Sequence, residues 1–275
     1  MELNKRLSEL LAKRAELSAN LSKLLQKSIL QEAIQGRLVP QNADDEPASV
    51  LLDKIQAEKQ RLVKEGKLKT KDAVNSTIYK GDDNRYYEKI GKSVVCIDEE
   101  IPFEIPTTWK WVRFGQLANL RIGKTPARGE SAYWSKGIYS WVSISDMADY
   151  GIIKDSKEKI SQKAKDTIMG QIIPAGTLIM SFKLTVGRTS ILEVDAYHNE
   201  AIVSVKPYYD YDNRLRDYLF YILPVISNLG DSKDAIKGKT LNSKSLYNLL
   251  IPLPSIQEQN RIINMIMRLF DKINA

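Results

Sequence analysis

The chain is poor in the residues that build disulfides and metal sites. Its 275 residues include one cysteine, Cys96, and one histidine, His198. A disulfide within the chain and a zinc site made only of its own cysteine and histidine side chains are therefore excluded. A single cysteine in a chain of this length is typical of a reducing compartment, and we expect a cytoplasmic protein.

Long apolar runs are also missing. No run approaches 18 residues, and the amino terminus, Met1-Glu-Leu-Asn-Lys5, has no apolar core. The sequence therefore predicts neither a membrane span nor a secretory signal. With only 14 glycines and 10 prolines and with 43% hydrophobic residues, a collagen-like or wholly disordered chain is excluded as well.

Signatures of catalysis are absent or incomplete. Gly123-Lys-Thr125 resembles the end of a phosphate loop, but Ala118 stands where the first glycine should be and Pro126 disfavours a helix there. We expect a tight turn. The nuclease-like triplets at 155–157 and 231–233 have no convincing second carboxylate, and no methyltransferase motif is found. His198 is interpreted as a hydrogen-bonded structural histidine.

The basic excess is concentrated in one part of the chain. The sequence has 41 basic and 34 acidic residues, a formal charge of +7, and residues 108–255 contribute 20 basic against 14 acidic side chains. Such an excess is compatible with a polyanionic partner, since neutralising phosphates releases counterions, but a bland basic surface explains it equally well.

The first segment is predicted to be a long helix. Its leucines recur at heptad-like spacing, and no glycine or proline occurs before Gly36. A helix from Leu3 to Leu38 would extend about 54 Å, which favours a coiled-coil arm over packing within its own domain alone. A second helix is expected at residues 48–65. We assign residues 1–66 to a helical region and residues 67–100, which lack apolar periodicity, to a mobile linker.

Residues 101–254 are predicted to form a mixed α/β domain. Strand-like runs are expected at 110–114, 138–144, 177–182, 189–194 and 201–205, and helices at 161–169, 212–228 and 243–249. Residues 255–275 are predicted to form a terminal helix that opens with a capping box, in which Ser255 caps the first amides and Glu258 reaches back. The fold class is therefore α+β, with amphipathic helices at both ends that pack together within one chain or between two.

Several predicted turns carry residues suited to nucleic acid. Arginine and lysine can contact guanine edges or phosphates, and hydroxyls add further hydrogen bonds. Trp134 and Trp141 stand between these turns, and for Trp141 we favour a place in the core. The turn residues that we predict to contact DNA are Lys124, Thr125, Arg128, Lys183, Thr185, Arg188, Lys237, Lys239 and Thr240.

A set of motifs then resembles one protein family over nearly the whole chain. The run SILQEAIQGRLVPQ at 28–41, followed by DEPASVLL at 45–52, is similar to the central helical region of type I restriction-modification specificity subunits. Motifs at 105–109, 123–126, 173–178 and 199–202 follow the order of one target-recognition domain of that family. The run IPLPSIQEQ at 251–259 resembles the segment that leads into the next helix.

The resemblance implies a noncatalytic protein that recognises double-stranded DNA. It would recruit a methyltransferase subunit that uses S-adenosylmethionine and a restriction subunit that uses ATP and Mg, so the cofactors belong to the partners. Residues 31–41 and 257–261 are expected to dock the methyltransferase subunit. The side chains assigned to this docking are Gln31, Gln35, Arg37, Gln41, Gln257, Gln259 and Arg261.

The chain departs from the family in one respect, because full members carry two recognition domains and two helical regions. A half-length subunit that forms a twofold dimer would recognise a palindromic split site. A truncated fragment, or a half that pairs with a different half, is equally compatible with the sequence. The competing function is a coiled-coil adaptor or inhibitory fragment that binds the methyltransferase subunit without DNA specificity.

Overall fold

A computed structural model describes residues 2–229 and 241–274. The helices in these ranges are α1 (Glu2–Ile34), α2 (Ala48–Lys64), α3 (Phe114–Leu117), α4 (Ser131–Trp134), α5 (Gln162–Thr167), α6 (Arg214–Ile226), α7 (Ser243–Tyr247) and α8 (Ile256–Asn274). Short 3-10 turns lie at Thr70–Ala73, Asp98–Glu100 and Ile144–Asp146. In the described part of the chain, no helix is both long enough and apolar enough to cross a membrane.

The strands within residues 2–229 and 241–274 form four sheets. They are β1 (Ser76–Lys80), β2 (Tyr86–Ile90), β3 (Ser93–Cys96), β4 (Lys110–Arg113), β5 (Ala118–Ile122), β6 (Tyr139–Val142), β7 (Gly151–Ile153), β8 (Glu158–Ile160), β9 (Leu178–Ser181), β10 (Thr189–Leu192), β11 (Ala196–His198), β12 (Ile202–Pro207) and β13 (Leu250–Leu253). The mixture of helices with parallel and antiparallel strand pairs makes this an α+β fold, as predicted.

The largest sheet has five strands in the order β5-β12-β9-β10-β7. Its pairs are antiparallel except for β10 and β7, which run parallel. A three-stranded sheet, β11-β6-β8, joins it through the β11–β12 turn, and β13 pairs with β4 beside it. The predicted strands are confirmed within one to two residues at most ends, whereas β5, β7, β8, β11 and β13 were not predicted.

The helix α1 ends where its sequence allows it to end. Gly36 adopts φ +70°, a left-handed conformation that favours glycine, and a Cβ there would collide with the Pro106 ring. Leu30, Ala33 and Ile34 in the last turns of α1 are buried and contribute to the main core. The same core contains Ile262 and Ile266 of α8, so the two terminal helices pack together within one chain at this point.

The amino-terminal part of α1 has no such cover. Its large apolar side chains are exposed, and Leu17, for example, is 61% accessible. The exposed leucines of this helix, which we call the leucine face, are Leu7, Leu10, Leu11, Leu17, Leu21, Leu24 and Leu25. This is the arm that the heptad pattern predicts.

The expectation of a mobile linker at residues 67–100 is wrong. The strands β1, β2 and β3 form an antiparallel sheet within this segment. Ile78, Tyr86 and Ile97 pack against Trp111 of β4 in a small core of their own. Five of the eight residues of this cluster, Trp111 among them, come from outside the segment, and the segment by itself therefore shows little apolar periodicity.

A buried ion pair fastens the small sheet to the larger domain. The Arg113 guanidinium donates to the Glu88 carboxylate at 2.7 Å, and both side chains are nearly inaccessible. Burial acts to raise the pKa of Glu88, but the hydrogen bonds from Arg113 and Ser76 outweigh it and hold that pKa below its ordinary value. Glu88 is therefore ionised at neutral pH.

Candidate nucleic-acid interface

Three loops meet at one edge of the domain. The backbone N–H of Lys124 donates to the His198 carbonyl at 2.9 Å, and the N–H of Phe182 donates to the Ala201 carbonyl at 3.0 Å. These bonds join residues 123–128, 181–188 and 198–201, which we call the recognition edge. Two of the predicted DNA-contacting segments, at 123–128 and 183–188, are thus neighbours in space although about 60 residues separate them in the chain.

Gly123 allows the loop 123–128 to pack directly against the loop 198–201. A Cβ at this position would overlap the carbonyl oxygens of His198 and Asn199 and the Nδ1 atom of His198. No other residue fits without moving the backbone. The segment that follows contains no helix, so the phosphate-loop interpretation fails in the structure as it does in the sequence.

Glu200 lies at the centre of the recognition edge. Its carboxylate accepts a hydrogen bond from the Thr125 hydroxyl. This bond, assisted by the charges of Lys183 and Arg128, holds the pKa of Glu200 below its ordinary value although partial burial opposes it. A carboxylate flanked by a lysine and an arginine therefore faces outward between the two predicted contact loops. Glu200 was not among the residues predicted from the sequence to contact DNA.

Arg128 is held in an aromatic box. Its guanidinium carbon lies 4.1 Å from the ring centroid of Trp134 and 4.7 Å from that of Trp141. Its Nη2 also donates to Glu158 at 3.0 Å. Trp141 is buried, as expected for a core aromatic. The guanidinium donors are thus engaged within the chain, and contact between Arg128 and DNA requires them to exchange Glu158 for a phosphate or a base.

The remaining predicted contacts lie on the β9–β10 hairpin or outside the described residues. Arg188 donates to Asp149 and to the Met147 carbonyl, each at 3.1 Å, which ties the base of the hairpin to the loop before β7. Thr185 is exposed near the hairpin tip. Lys237, Lys239 and Thr240 lie in the segment 230–240, which is outside the described residues.

His198 supports the edge from beneath. Its side chain is buried, and its Nδ1 lies 3.2 Å from the Asn199 carbonyl oxygen. Burial lowers the pKa of His198 to about 4, so the imidazole is neutral at physiological pH. This agrees with the prediction of a structural histidine.

The recognition edge carries hydrogen-bond donors and acceptors of kinds that contact DNA. Lys124 and Lys183 provide donors for phosphates or guanine edges. The Glu200 carboxylate can accept a hydrogen bond from the cytosine amino group, and the Thr125 hydroxyl can either donate or accept one. Lys124 already donates to the Ile168 carbonyl at 3.0 Å, a bond that orders its side chain at the surface.

The predicted docking residues lie together at the start of α8. Arg261 donates to Asp45 at 2.9 Å, and the Gln41 amide donates to the Glu258 carboxylate. Gln41, at the end of the first predicted docking segment, thus contacts the second segment at the start of α8. Gln31, Gln35 and Gln257 are partly exposed, and Arg37 is exposed and paired with Glu32 at 2.7 Å.

One docking residue needs correction, and a second has an internal role. Gln259 is fully buried and donates to the Pro254 carbonyl at 3.1 Å, so its side chain is not presented to a partner. Arg261 is engaged by Asp45. The capping box is half right, because Ser255 does accept from the Glu258 N–H at 3.0 Å, but the Glu258 carboxylate accepts instead from the Trp109 indole at 2.8 Å.

Comparison with known proteins identifies the family of this domain. A family model described as the type I restriction modification DNA specificity domain matches residues 106–275. The chain belongs to this family. The match covers the recognition edge and α8, and it confirms the resemblance that the motifs indicate. The small sheet β1-β2-β3, α1 and α2 of this type I specificity chain precede the matched residues.

Curated relatives of the type I specificity chain are specificity subunits of type I restriction enzymes. The EcoAI specificity subunit of Escherichia coli is 40% identical over 99 residues, which are 36% of this chain and 14% of the relative. The MjaIX specificity subunit of Methanocaldococcus jannaschii is 26% identical over 175 residues, 62% of this chain and 39% of the relative. The chain therefore spans well under half the length of the curated relatives it matches.

Solved structures give a distant likeness. The HsdS subunit from Thermoanaerobacter tengcongensis superimposes with a TM-score of 0.47 at 17% identity, covering 97% of this chain and 49% of that chain.

Proposed function

We propose that this chain is the sequence-reading part of a type I restriction-modification complex. It recognises double-stranded DNA through the recognition edge and directs a methyltransferase subunit and a restriction subunit to the target. The chain itself is noncatalytic, and S-adenosylmethionine, ATP and Mg are used by its partners. The observation that carries this proposal is the family match to a DNA specificity domain over the residues that form the recognition edge.

The charges of the edge support a DNA partner. Lys183 is close enough to Glu200 to stabilise its carboxylate, the Thr125 hydroxyl donates to the same carboxylate, and Lys124 precedes Thr125 in the loop 123–128. Lysines hold the backbone, whereas the neighbouring hydroxyl and carboxylate distinguish bases. The exact division of roles among the predicted contacts is part of the proposal.

The docking surface gives the methyltransferase subunit a place apart from the recognition edge. Partly exposed glutamines stand near the end of α1 and at the start of α8, and the Asp45–Arg261 pair fastens the loop before α2 to α8. Because α8 and α1 share a core with the recognition domain, a partner on this surface is fixed in orientation relative to the DNA.

The finer proposal is that two copies of the chain associate through the leucine face and read a split site. Seven leucines, each at least 45% exposed, repeat along one helix at the spacing that coiled coils use. A twofold pair would present two recognition edges to a palindromic sequence whose half-sites are set apart by the helices.

Co-expression with a type I methyltransferase subunit, followed by mapping of methylated adenines in the host genome, tests these proposals. We expect a palindromic split motif. An asymmetric split motif would overturn the homodimer in favour of pairing with a different half. A stable complex that methylates no defined motif would overturn sequence recognition and favour the adaptor function.

Single substitutions connect the result to the edge. Lys183→Ala should lower affinity for all duplexes and reduce the slope of affinity against salt by about one ion, as expected for a phosphate contact. Lys136→Ala removes an exposed lysine at the other end of β6 from the edge and is the matched control. Equal losses in both variants would contradict the assignment of Lys183.

A further inference from the structure

Leu184 is the most exposed large apolar side chain among those of the described residues, at 82% accessibility. It stands at the tip of the β9–β10 hairpin, between Lys183 and Thr185. An isolated exposed leucine is ordinary in a flexible loop or on a helix face. The position of Leu184 differs from both of these cases.

The backbone of Leu184 is held in a conformation that leucine disfavours. Its φ is +66°, in the left-handed region where glycine and asparagine are common and branched apolar side chains are rare. Such strain persists only where the surrounding structure imposes it, and it concentrates at functional sites.

Hydrogen bonds impose that conformation from below. The Gly187 N–H donates to the Ser181 carbonyl at 2.8 Å, and the Ser181 N–H donates to the Arg188 carbonyl at 2.9 Å. The Ser181 hydroxyl also donates to the Thr185 carbonyl across the loop. The tip is therefore closed over a buried serine, and Leu184 projects outward from a rigid base.

The charges around the tip indicate what covers it. Lys183 lies close enough to Glu200 to stabilise its carboxylate, and Glu200 is bonded to Thr125. Phe182 is bonded to Ala201 in the same loop cluster. The apolar tip thus belongs to the surface that carries the lysines of the recognition edge, so the partner that the lysines attract also meets Leu184.

We propose that Leu184 is an apolar reading tip that contacts DNA bases directly. Apolar side chains do this either against the C5 methyl group of thymine or as a wedge at an opened base step. Both modes bury the leucine against bases and explain why an apolar side chain stands on a strained backbone. The inference rests on the proposed DNA-reading function and adds a contact that supplies specificity without charge.

The test uses the full chain co-purified with its methyltransferase subunit and the duplex that this complex selects from a randomised library. Leu184→Asn removes the apolar group but suits the left-handed backbone. We expect it to bind the selected duplex at least about tenfold more weakly, since burial of a leucine side chain is lost. Affinity for an unrelated duplex should change by less than about twofold, because that binding depends on phosphate contacts.

Stability separates this effect from misfolding. Because asparagine relieves the left-handed strain, the melting temperature of Leu184→Asn should equal or exceed that of the parent chain. Leu184→Met, which restores an apolar side chain, should recover most of the lost affinity. Ile138→Asn is the matched control, since Ile138 is 66% exposed but lies at the end of β6 away from the Asn199 turn.

Two modified duplexes identify the mode of contact. Replacing one thymine by uracil should reproduce the Leu184→Asn loss if the leucine packs on a methyl group. A 2-aminopurine at the contacted step should brighten with the parent chain, and not with Leu184→Asn, if the leucine opens the stack. Absence of both effects overturns the proposal.

The remaining outcomes are distinct. A parent complex with no sequence preference overturns the proposed function together with this inference. A selective parent complex with an equally selective Leu184→Asn variant overturns the inference alone. Loss of the methyltransferase subunit from the Leu184→Asn preparation shows that the leucine contacts protein and also overturns it.

Discussion

The two ends of α1 have similar sequences and opposite surroundings. Leucines recur at heptad-like spacing from Leu7 to Leu24, yet these side chains are exposed. The last turns, with Leu30 at 1% accessibility, are buried against α6 and α8 in the main core. An apolar stripe on a helix therefore indicates that this face is covered, but it does not indicate which segment or partner covers it.

Polar contacts also stabilise the region around the buried end of α1. Around it lie the Asp45–Arg261 pair and the Trp109–Glu258 hydrogen bond. We call this region the helix junction. Substitutions in the two regions should therefore behave differently, and the largest contrast comes from the leucines themselves.

Leu30→Ala should destabilise the chain by about 2 to 5 kcal/mol, because it opens a cavity in the core. Leu17→Ala, the matched change on the leucine face, should cost less than about 0.5 kcal/mol in a dilute sample of the chain alone. Urea denaturation measures both. If Leu17→Ala were as destabilising as Leu30→Ala at every protein concentration, the leucine face would be covered within the chain. A cost that grows with concentration would indicate association of copies.

Lys59 gives the next effect, which depends on pH. The Lys59 side chain is buried between α2 and α3, where its ammonium donates to Gln116 at 2.9 Å, and burial lowers its pKa to about 8. Because the folded pKa lies below the unfolded value, stability increases as pH rises from about 8 toward 10.5. The shift corresponds to at most roughly 3 kcal/mol before solvent screening reduces it.

Unfolding free energies of the parent chain and of Lys59→Met, measured from pH 7 to pH 10.5, isolate this contribution. The parent should gain stability relative to the variant across that range. Lys54 lies on the same helix as Lys59 and forms an exposed ion pair with Glu46, and Lys54→Met is the control. The parent chain should not gain stability relative to this control across the same pH range. Parallel curves for the parent chain and Lys59→Met would contradict the lowered pKa.

The smallest effect comes from the indole donor at the junction. Trp109→Phe leaves the buried Glu258 carboxylate without one of its hydrogen bonds and should cost about 1 to 3 kcal/mol at neutral pH. Burial already raises the pKa of Glu258, and loss of the donor raises it further. The deficit should therefore shrink as pH falls through that pKa, since the protonated acid needs the donor less.

Chemical denaturation of the parent chain and Trp109→Phe between pH 7 and pH 4 measures this. Trp134→Phe, whose indole donates to the Ala127 carbonyl and to no carboxylate, is the control and should give a deficit that does not vary with pH. A Trp109→Phe deficit that is constant with pH would show that Glu258 contributes no charge effect at the junction.

Local patterns were sufficient for much of the fold. The ends of α2, the Ser255 cap and the strands β4, β6, β9, β10 and β12 follow from glycine, proline and apolar spacing, which act over a few residues. The small sheet β1-β2-β3 could not be predicted in this way. Its core uses Trp111 from a later strand and its anchor uses Arg113, so its stability depends on contacts between distant segments.

The candidate site shows the same division. Composition and motifs predicted the turn residues Lys124, Thr125 and Lys183 as DNA contacts, whereas they assigned no role to Glu200 or Leu184. Glu200 became a candidate only because its carboxylate is bonded to Thr125, 75 positions away in the chain. Leu184 became a candidate only because of its backbone conformation and its exposure.

The sequence alone determined the α+β class, the helices at both ends, the family and the absence of a disulfide within the chain. These follow from residue identities and spacings of a few positions, which physical chemistry interprets locally. Only the tertiary structure decided that α1 is half covered, that Gln259 and Arg128 are engaged within the chain, and that loops some 60 residues apart form one edge. Those outcomes depend on which surfaces, distant along the chain, pack together and exclude water. The spacing of residues in the sequence does not specify which surfaces these are.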